Sequence, residues 1–71
     1  MKPQIYIEEK IQDCVEYVVL HPGADCSQEQ LDRALDVAGK PGHRKEMDHQ
    51  GACRLARLLQ QMGYSITMDS R

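Results

Sequence analysis

The stretch IEEKIQDCVEYVVL, residues 7–20, supplies the first helix of the predicted fold. Five of its apolar side chains recur at helical spacing: Ile7, Ile11, Cys14, Val15 and Val18. This spacing predicts a helix over about residues 8–20. The HPG triplet that follows ends the helix, because proline cannot continue it. The segment QIYI, residues 4–7, is read either as the helix start or as a short extended segment.

Two further helices follow. Ser27 precedes Gln30 by three residues, which is the capping-box pattern, and predicts a helix over about residues 28–38. Asp48 is a suitable N-cap for a third helix over about residues 49–62, whose apolar side chains form one stripe. A glycine follows each helix, at the position where a left-handed residue is favoured.

The order of these segments predicts the fold class. Residues 40–47 are polar and contain Pro and Gly, which indicates a loop, and residues 64–68 alternate as a half-buried strand does. We therefore expect a mainly α (α+β) protein, a three-helix winged-helix-like domain with a minimal two-stranded β element. Its two strands would be Ala24–Cys26 and Ser65–Met68. One domain covers residues 1–71.

Composition limits the class of protein. With 28% charged and 41% hydrophobic residues, the chain is typical of globular domains. It has no apolar run near the ~18 residues that a membrane span needs, and no segment typical of a secretory signal. Three scattered cysteines are normal for reduced thiols, so we expect a cytoplasmic protein.

Charge is unevenly distributed along the chain. Residues 1–39 hold three cations and eight anions, a net charge of −5. Residues 40–57 hold five cations and two anions, a net charge of +3. Such asymmetry is typical of a chain with an anionic partner on one face, and it also arises by chance in a short sequence.

The third helix carries the residues predicted to bind DNA. Its outward stripe repeats at spacings of four, three and four: Gln50, Arg54, Arg57 and Gln61. In a helix-turn-helix protein this helix enters the major groove, where Arg pairs with guanine and Gln with adenine. The preceding loop would contribute three phosphate-binding cations: Lys40, Arg44 and Lys45. The alternative is a solvated face, since Arg and Gln are good helix formers, and the acidic first half favours that alternative.

Metal and enzyme chemistry have less support. His49 and Cys53 are four residues apart, as a ligand pair could be, with His43 and Cys26 as further candidates. No Cys-x-x-Cys spacing accompanies them, so we expect no metal. As a nucleophile pair, Cys53 and His49 would need an orienting third group and a cleft. We expect no enzyme and no cofactor.

The C-terminal half resembles a known family. The segments CSQEQLDRALDVAG (residues 26–39) and HRKEMDHQGACRLARLLQQMGY (residues 43–64) look like the small winged-helix-type domain that closes phage and virulence-associated E-like replication proteins, the primase-helicases. The second segment follows that family's pattern at eight positions: Arg54, Leu55, Ala56, Leu58, Leu59, Met62, Gly63 and Tyr64. Leu35 and Gly39 occupy the earlier part of the pattern, and the likeness spans about residues 11–68.

The resemblance implies a phage or prophage origin and a nucleic-acid-associated module. The ATPase and primase portions are absent, so it implies no enzymatic role. The sequence therefore predicts a small DNA-binding module associated with replication or transcriptional regulation. The alternative is a protein-interaction module, an adaptor or inhibitor, that uses helix one and its acidic surface. A protein partner or homodimer is compatible with both.

Overall fold

A computed structural model describes residues 1–69 of the protein. These residues fold into a four-stranded sheet with two helices. The elements in chain order are β1 (Gln4–Gln12), β2 (Val15–Pro22), α1 (Gln28–Val37), β3 (Arg44–Glu46), α2 (His49–Gln61) and β4 (Ser65–Asp69). The strand order is β3-β2-β1-β4. Strand β2 is antiparallel to both of its neighbours, whereas β1 and β4 are parallel, so the sheet is mixed.

The predicted first helix is wrong, because residues 8–20 lie in a β-hairpin. Burial along the hairpin alternates with the two-residue period of a strand, as Ile5 and Ile7 on β1 and Val18 and Leu20 on β2 show. Ile11 contributes to the helical spacing in the sequence, yet it is 46% exposed. The apparent helical stripe therefore joins residues that do not share a buried face.

The predicted fold class is wrong for the same reason. With two helices and a four-stranded sheet, the domain is α+β and is not a three-helix winged helix. Strand β3 lies inside the segment that was predicted to be a loop. Strand β4 agrees closely with the predicted strand, but it pairs with residues 4–8 of β1 and not with Ala24–Cys26.

The two remaining helix predictions are confirmed. The Ser27 hydroxyl accepts a hydrogen bond from the Gln30 amide at 3.1 Å, and the Gln30 side chain accepts one from the Ser27 amide at 2.8 Å. Asp48 caps α2 by accepting a hydrogen bond from the Gly51 amide at 2.8 Å. These caps satisfy backbone N–H groups that have no partner inside the helix.

Both helices pack on one face of the sheet. Within residues 1–69, the core consists of eleven buried side chains: Ile5, Ile7, Val18, Leu20, Leu31, Ala34, Leu35, Ala52, Leu55, Ala56 and Leu59. The alternate residues of β1 and β2 point to the opposite face, which carries Tyr6, Tyr17 and Val19, all half-buried. A two-layer arrangement of this kind leaves one face of a sheet open.

Candidate functional site

Helix α2 presents the predicted polar stripe to solvent. All four members are exposed: Gln50, Arg54, Arg57 and Gln61. No carboxylate lies within α2, and neither arginine forms an ion pair within residues 1–69. The stripe lies opposite the buried side of the helix, so the two guanidinium groups are available to an anion.

Lys40 is the one loop cation that lies beside this stripe. Together with Arg54 it lines a shallow cavity of about 260 Å³ between α2 and the loop after α1. Met47, Leu55 and Leu58 supply its apolar wall, and Glu46 is the carboxylate on its edge. The cavity therefore combines two cations with an apolar floor, and Glu46 reduces its net charge.

The other two predicted loop cations lie on opposite sides of the sheet, because successive residues of β3 alternate, and each is held by a partner outside the stripe. The Arg44 guanidinium lies over the ring of Tyr17, 4.2 Å from its centroid, on the open face. The Lys45 ammonium donates hydrogen bonds to the carbonyl oxygens of Pro41, at 2.8 Å, and Gly42. Burial, with a smaller contribution from the charge of Lys40, lowers the pKa of Lys45.

The open face of the sheet carries a second group of polar and aromatic side chains. The rings of Tyr6 and His21 are stacked, with centroids 5.6 Å apart. The Tyr6 hydroxyl donates to a carboxylate oxygen of Asp69 at 2.8 Å, and this hydrogen bond raises the pKa of Tyr6. His21 also lies 3.2 Å from a carboxylate oxygen of Glu8. These pairs join three neighbouring strands.

A third group joins β1 to the start of α2. The Nδ1 atom of His49 lies 2.9 Å and 3.0 Å from the two carboxylate oxygens of Glu9. The Nε2 atom of the same ring lies 3.4 Å from the Cys53 sulfur. The Cys53–His49 pair, which the sequence offered only as a possibility, is therefore in contact, and Glu9 is a third group beside the imidazole. The sequence did not indicate Glu9 as a site residue, because the predicted first helix placed it on a polar surface.

The predicted metal candidates do not assemble. Within residues 1–69, no three His, Cys, Asp or Glu side chains are placed to hold a metal ion. His43 instead donates a hydrogen bond to Asp32 on α1, and this bond lowers the pKa of the carboxyl. Burial raises the pKa of the Cys26 thiol, which makes it a weaker ligand at neutral pH.

Comparison with known proteins identifies no relative: no family model, curated protein or solved structure matches the chain. The residues that carry the resemblance to the replication proteins lie in α1, in α2 and in the turns after them, and the winged-helix fold that it implied is wrong. Neither α1 nor α2 is long and apolar enough to cross a membrane, and residues 1–69 contain no other helix.

Proposed function

We propose that this protein binds duplex DNA through the outward stripe of α2, with Lys40 as an additional phosphate contact. One observation carries the proposal. Two exposed arginines and two exposed glutamines share one face of a helix that contains no acidic residue. Such a face offers bidentate donors to phosphates and to base edges, and nothing within α2 repels the DNA backbone.

The dimensions of α2 suit this task. Thirteen helical residues span roughly 20 Å, and a helix of ordinary diameter enters a major groove about 12 Å wide. In this placement Arg54 and Arg57 contact phosphates or guanine edges near the middle of the stripe. Gln50 and Gln61, at the two ends of the stripe, contact the DNA on either side of them. The sheet supports the helix from behind through Leu55 and Leu59.

The structure lowers the expected affinity. Arg44 lies on the open face of the sheet, and the Lys45 ammonium, on the helix side, is hydrogen-bonded to carbonyl oxygens. Of the five cations considered from the sequence, Lys40, Arg54 and Arg57 are left for phosphate contacts. Three phosphate contacts correspond to a salt slope of about −2.7. Binding should therefore weaken about 40-fold between 50 and 200 mM salt. This supports weak, mainly electrostatic binding by one copy of the chain. We place this activity in the cytoplasm, as the scattered cysteines indicate, and associate it with replication or transcription, as the resemblance implies.

The test is a fluorescence-anisotropy titration of a labelled 20-base-pair duplex at 50 mM salt, repeated with the matching single strand. We expect the double variant Arg54→Ala/Arg57→Ala to lose at least about tenfold in affinity. Arg33→Ala is the matched control, because Arg33 is an exposed arginine on α1. It should change the affinity less than about twofold. Equal binding by the wild type and the double variant would overturn the proposal.

The second candidate is a protein-interaction module, for which the open face of the sheet is the supporting observation. The proposed helix-one surface does not exist, but the hairpin that replaces it places Tyr6, Tyr17 and Val19 on a face that neither α1 nor α2 covers. Aromatic side chains are enriched where proteins contact one another. Sedimentation at increasing concentration, with Val19→Asp as the disrupting variant, tests homodimerisation through this face.

A further inference from the structure

Glu9, His49 and Cys53 form a continuous hydrogen-bonded series from the interior to the surface. Glu9 lies on the helix-facing side of β1 and is only 9% exposed. The His49 side chain is 63% exposed, and the Cys53 residue is half-buried. The series thus begins at a nearly buried carboxylate and ends at a thiol that small solutes can reach.

The order of atoms in this series gives the imidazole a defined tautomer. A carboxylate can only accept hydrogen bonds, so the proton of the neutral ring lies on Nδ1, which faces Glu9. The Nε2 atom is then left with its lone pair toward the Cys53 sulfur, 3.4 Å away. This is the arrangement in which an imidazole takes the proton of a thiol and a carboxylate stabilises the resulting imidazolium.

We propose that Cys53 is a peroxide-reactive thiol, activated by His49 and with Glu9 as the positioning residue. Nε2 of His49 accepts the thiol proton. The thiolate sulfur then attacks one oxygen of hydrogen peroxide, an S–O bond forms and the O–O bond breaks. The departing hydroxide takes the proton from Nε2 and leaves as water. Cys53 is oxidised to the sulfenic acid, the peroxide is reduced, and the imidazole is again neutral.

The surroundings of the sulfur favour peroxide over an acyl substrate. Acyl transfer needs N–H donors aimed at a developing oxyanion. The nearby Gly51 and Ala52 amides already donate to Asp48, at 2.8 Å to its side chain and 3.0 Å to its carbonyl oxygen. The cavity between α2 and the loop after α1 is lined by residues other than Cys53. A small electrophile that needs only a thiolate and a proton donor fits this site.

The other two cysteines provide internal controls in the wild-type chain. Cys14 is exposed, and Cys26 is half-buried, with a pKa raised by burial. Neither thiol has a hydrogen bond to an imidazole within residues 1–69. Peptide-resolved mass spectrometry of one sample therefore compares the three thiols under identical conditions, with no variant that has to fold.

The experiment uses two electrophiles. Iodide leaves iodoacetamide without needing a proton, so a neighbouring imidazolium adds nothing to the rate of alkylation. Hydroxide needs a proton on leaving, so the imidazolium adds to the rate with peroxide. We expect dimedone-trapped sulfenic acid to form at Cys53 at least about tenfold faster than at Cys14, and alkylation to favour Cys53 less strongly.

Variants separate this role from a structural one. His49→Gln should remove the preference of peroxide for Cys53. Glu9→Gln should reduce it, because an amide can donate to Nδ1 and turn the protonated nitrogen toward the sulfur. Circular dichroism confirms that each variant is folded, and the wild-type comparison stands without them. Equal peroxide rates at Cys53 and Cys14, or a His49→Gln protein that reacts like the wild type, would overturn the proposal.

Discussion

The turn between β1 and β2 offers a direct test of how the hairpin forms. Asp13 and Cys14 connect the paired residues Gln12 and Val15 as a two-residue loop, with φ values of 53° and 65°. Two positive φ values in succession define a type I′ turn, for which Asn-Gly is the preferred sequence. Aspartate tolerates this conformation, but cysteine is an unusual residue at the second position.

The expected gain from Cys14→Gly follows from two opposing terms. A left-handed conformation costs an ordinary L-residue about 1–2 kcal/mol, which glycine does not incur. Glycine loses about 0.5–1 kcal/mol more conformational entropy on folding. Because Cys14 is exposed, its side chain makes no core contact that would be lost. The net stabilisation should be about 0.5–1 kcal/mol, or an increase of about 2–8 °C in Tm.

Cys14→Ala is the matched control, since alanine removes the sulfur and keeps the β-carbon. Thermal unfolding followed by circular dichroism should show a higher Tm for the glycine variant and almost no change for the alanine variant. If alanine stabilises the protein as much as glycine, the thiol and not the backbone conformation is responsible. If glycine lowers the Tm, the assignment of a strained turn is wrong.

Three further predictions concern the core, a helix cap and the open face. Leu59→Ala removes a fully buried side chain between α2 and the sheet, and urea unfolding should show a loss of about 2–5 kcal/mol. Ser27→Ala removes the capping hydroxyl of α1 and should cost about 1 kcal/mol, measured in the same way. Asp69→Asn should lower the Tyr6 pKa toward its ordinary value, as followed by phenolate absorbance. Because folding raises this pKa, the Tyr6–Asp69 interaction stabilises the fold below pH ~10 and is lost as pH rises through the folded-state pKa.

The parts of the fold that the sequence predicted are those specified by neighbouring residues. Ser27 and Gln30 are three positions apart and form the capping box by themselves. Gly39 and Gly63, just beyond the two helices, have φ values of 74° and 102°, as the left-handed position requires. Such signals act within one turn of chain, so a single sequence contains all the information that they need.

The strand pairing of the sheet depends on contacts between residues far apart in the sequence, which a local sequence pattern does not reveal. Strand β4 pairs with β1 across 61 positions, from Gln4 to Ser65, and β3 is three residues long. The hairpin was misread because Ile11 and Val15 lie at its exposed end and complete a helical spacing with the buried Ile7 and Val18. The apolar residues of this stretch fit both the two-residue period of a strand and the 3.6-residue period of a helix. Pairing of β1 with β4 favours the strand.

The site residues also divide into those that the local sequence places and those that only the strand pairing places. The stripe on α2 was predictable because helical geometry alone puts Arg54 and Arg57 on the exposed side. Arg44 and Lys45 could not be placed without β3, whose alternation sends adjacent side chains to opposite faces. The three-residue strand sends Arg44 to the face opposite α2 and leaves Lys45 on the helix side, where carbonyl oxygens hold its ammonium group.

Glu9 shows most clearly what changes when the hairpin replaces a helix. In a helix over residues 8–20 it would be one of several surface carboxylates, whereas on β1 it follows Ile5 and Ile7 into the helix-facing layer. A carboxylate at such a position is costly unless it is hydrogen-bonded, and the imidazole of His49 supplies bonds to both of its oxygens. An apolar residue would continue the buried stripe of β1 at less cost, but it could not hold the imidazole with Nε2 toward Cys53. Under the proposed chemistry, the acidic residue is retained for the thiol that lies 44 positions later in the chain.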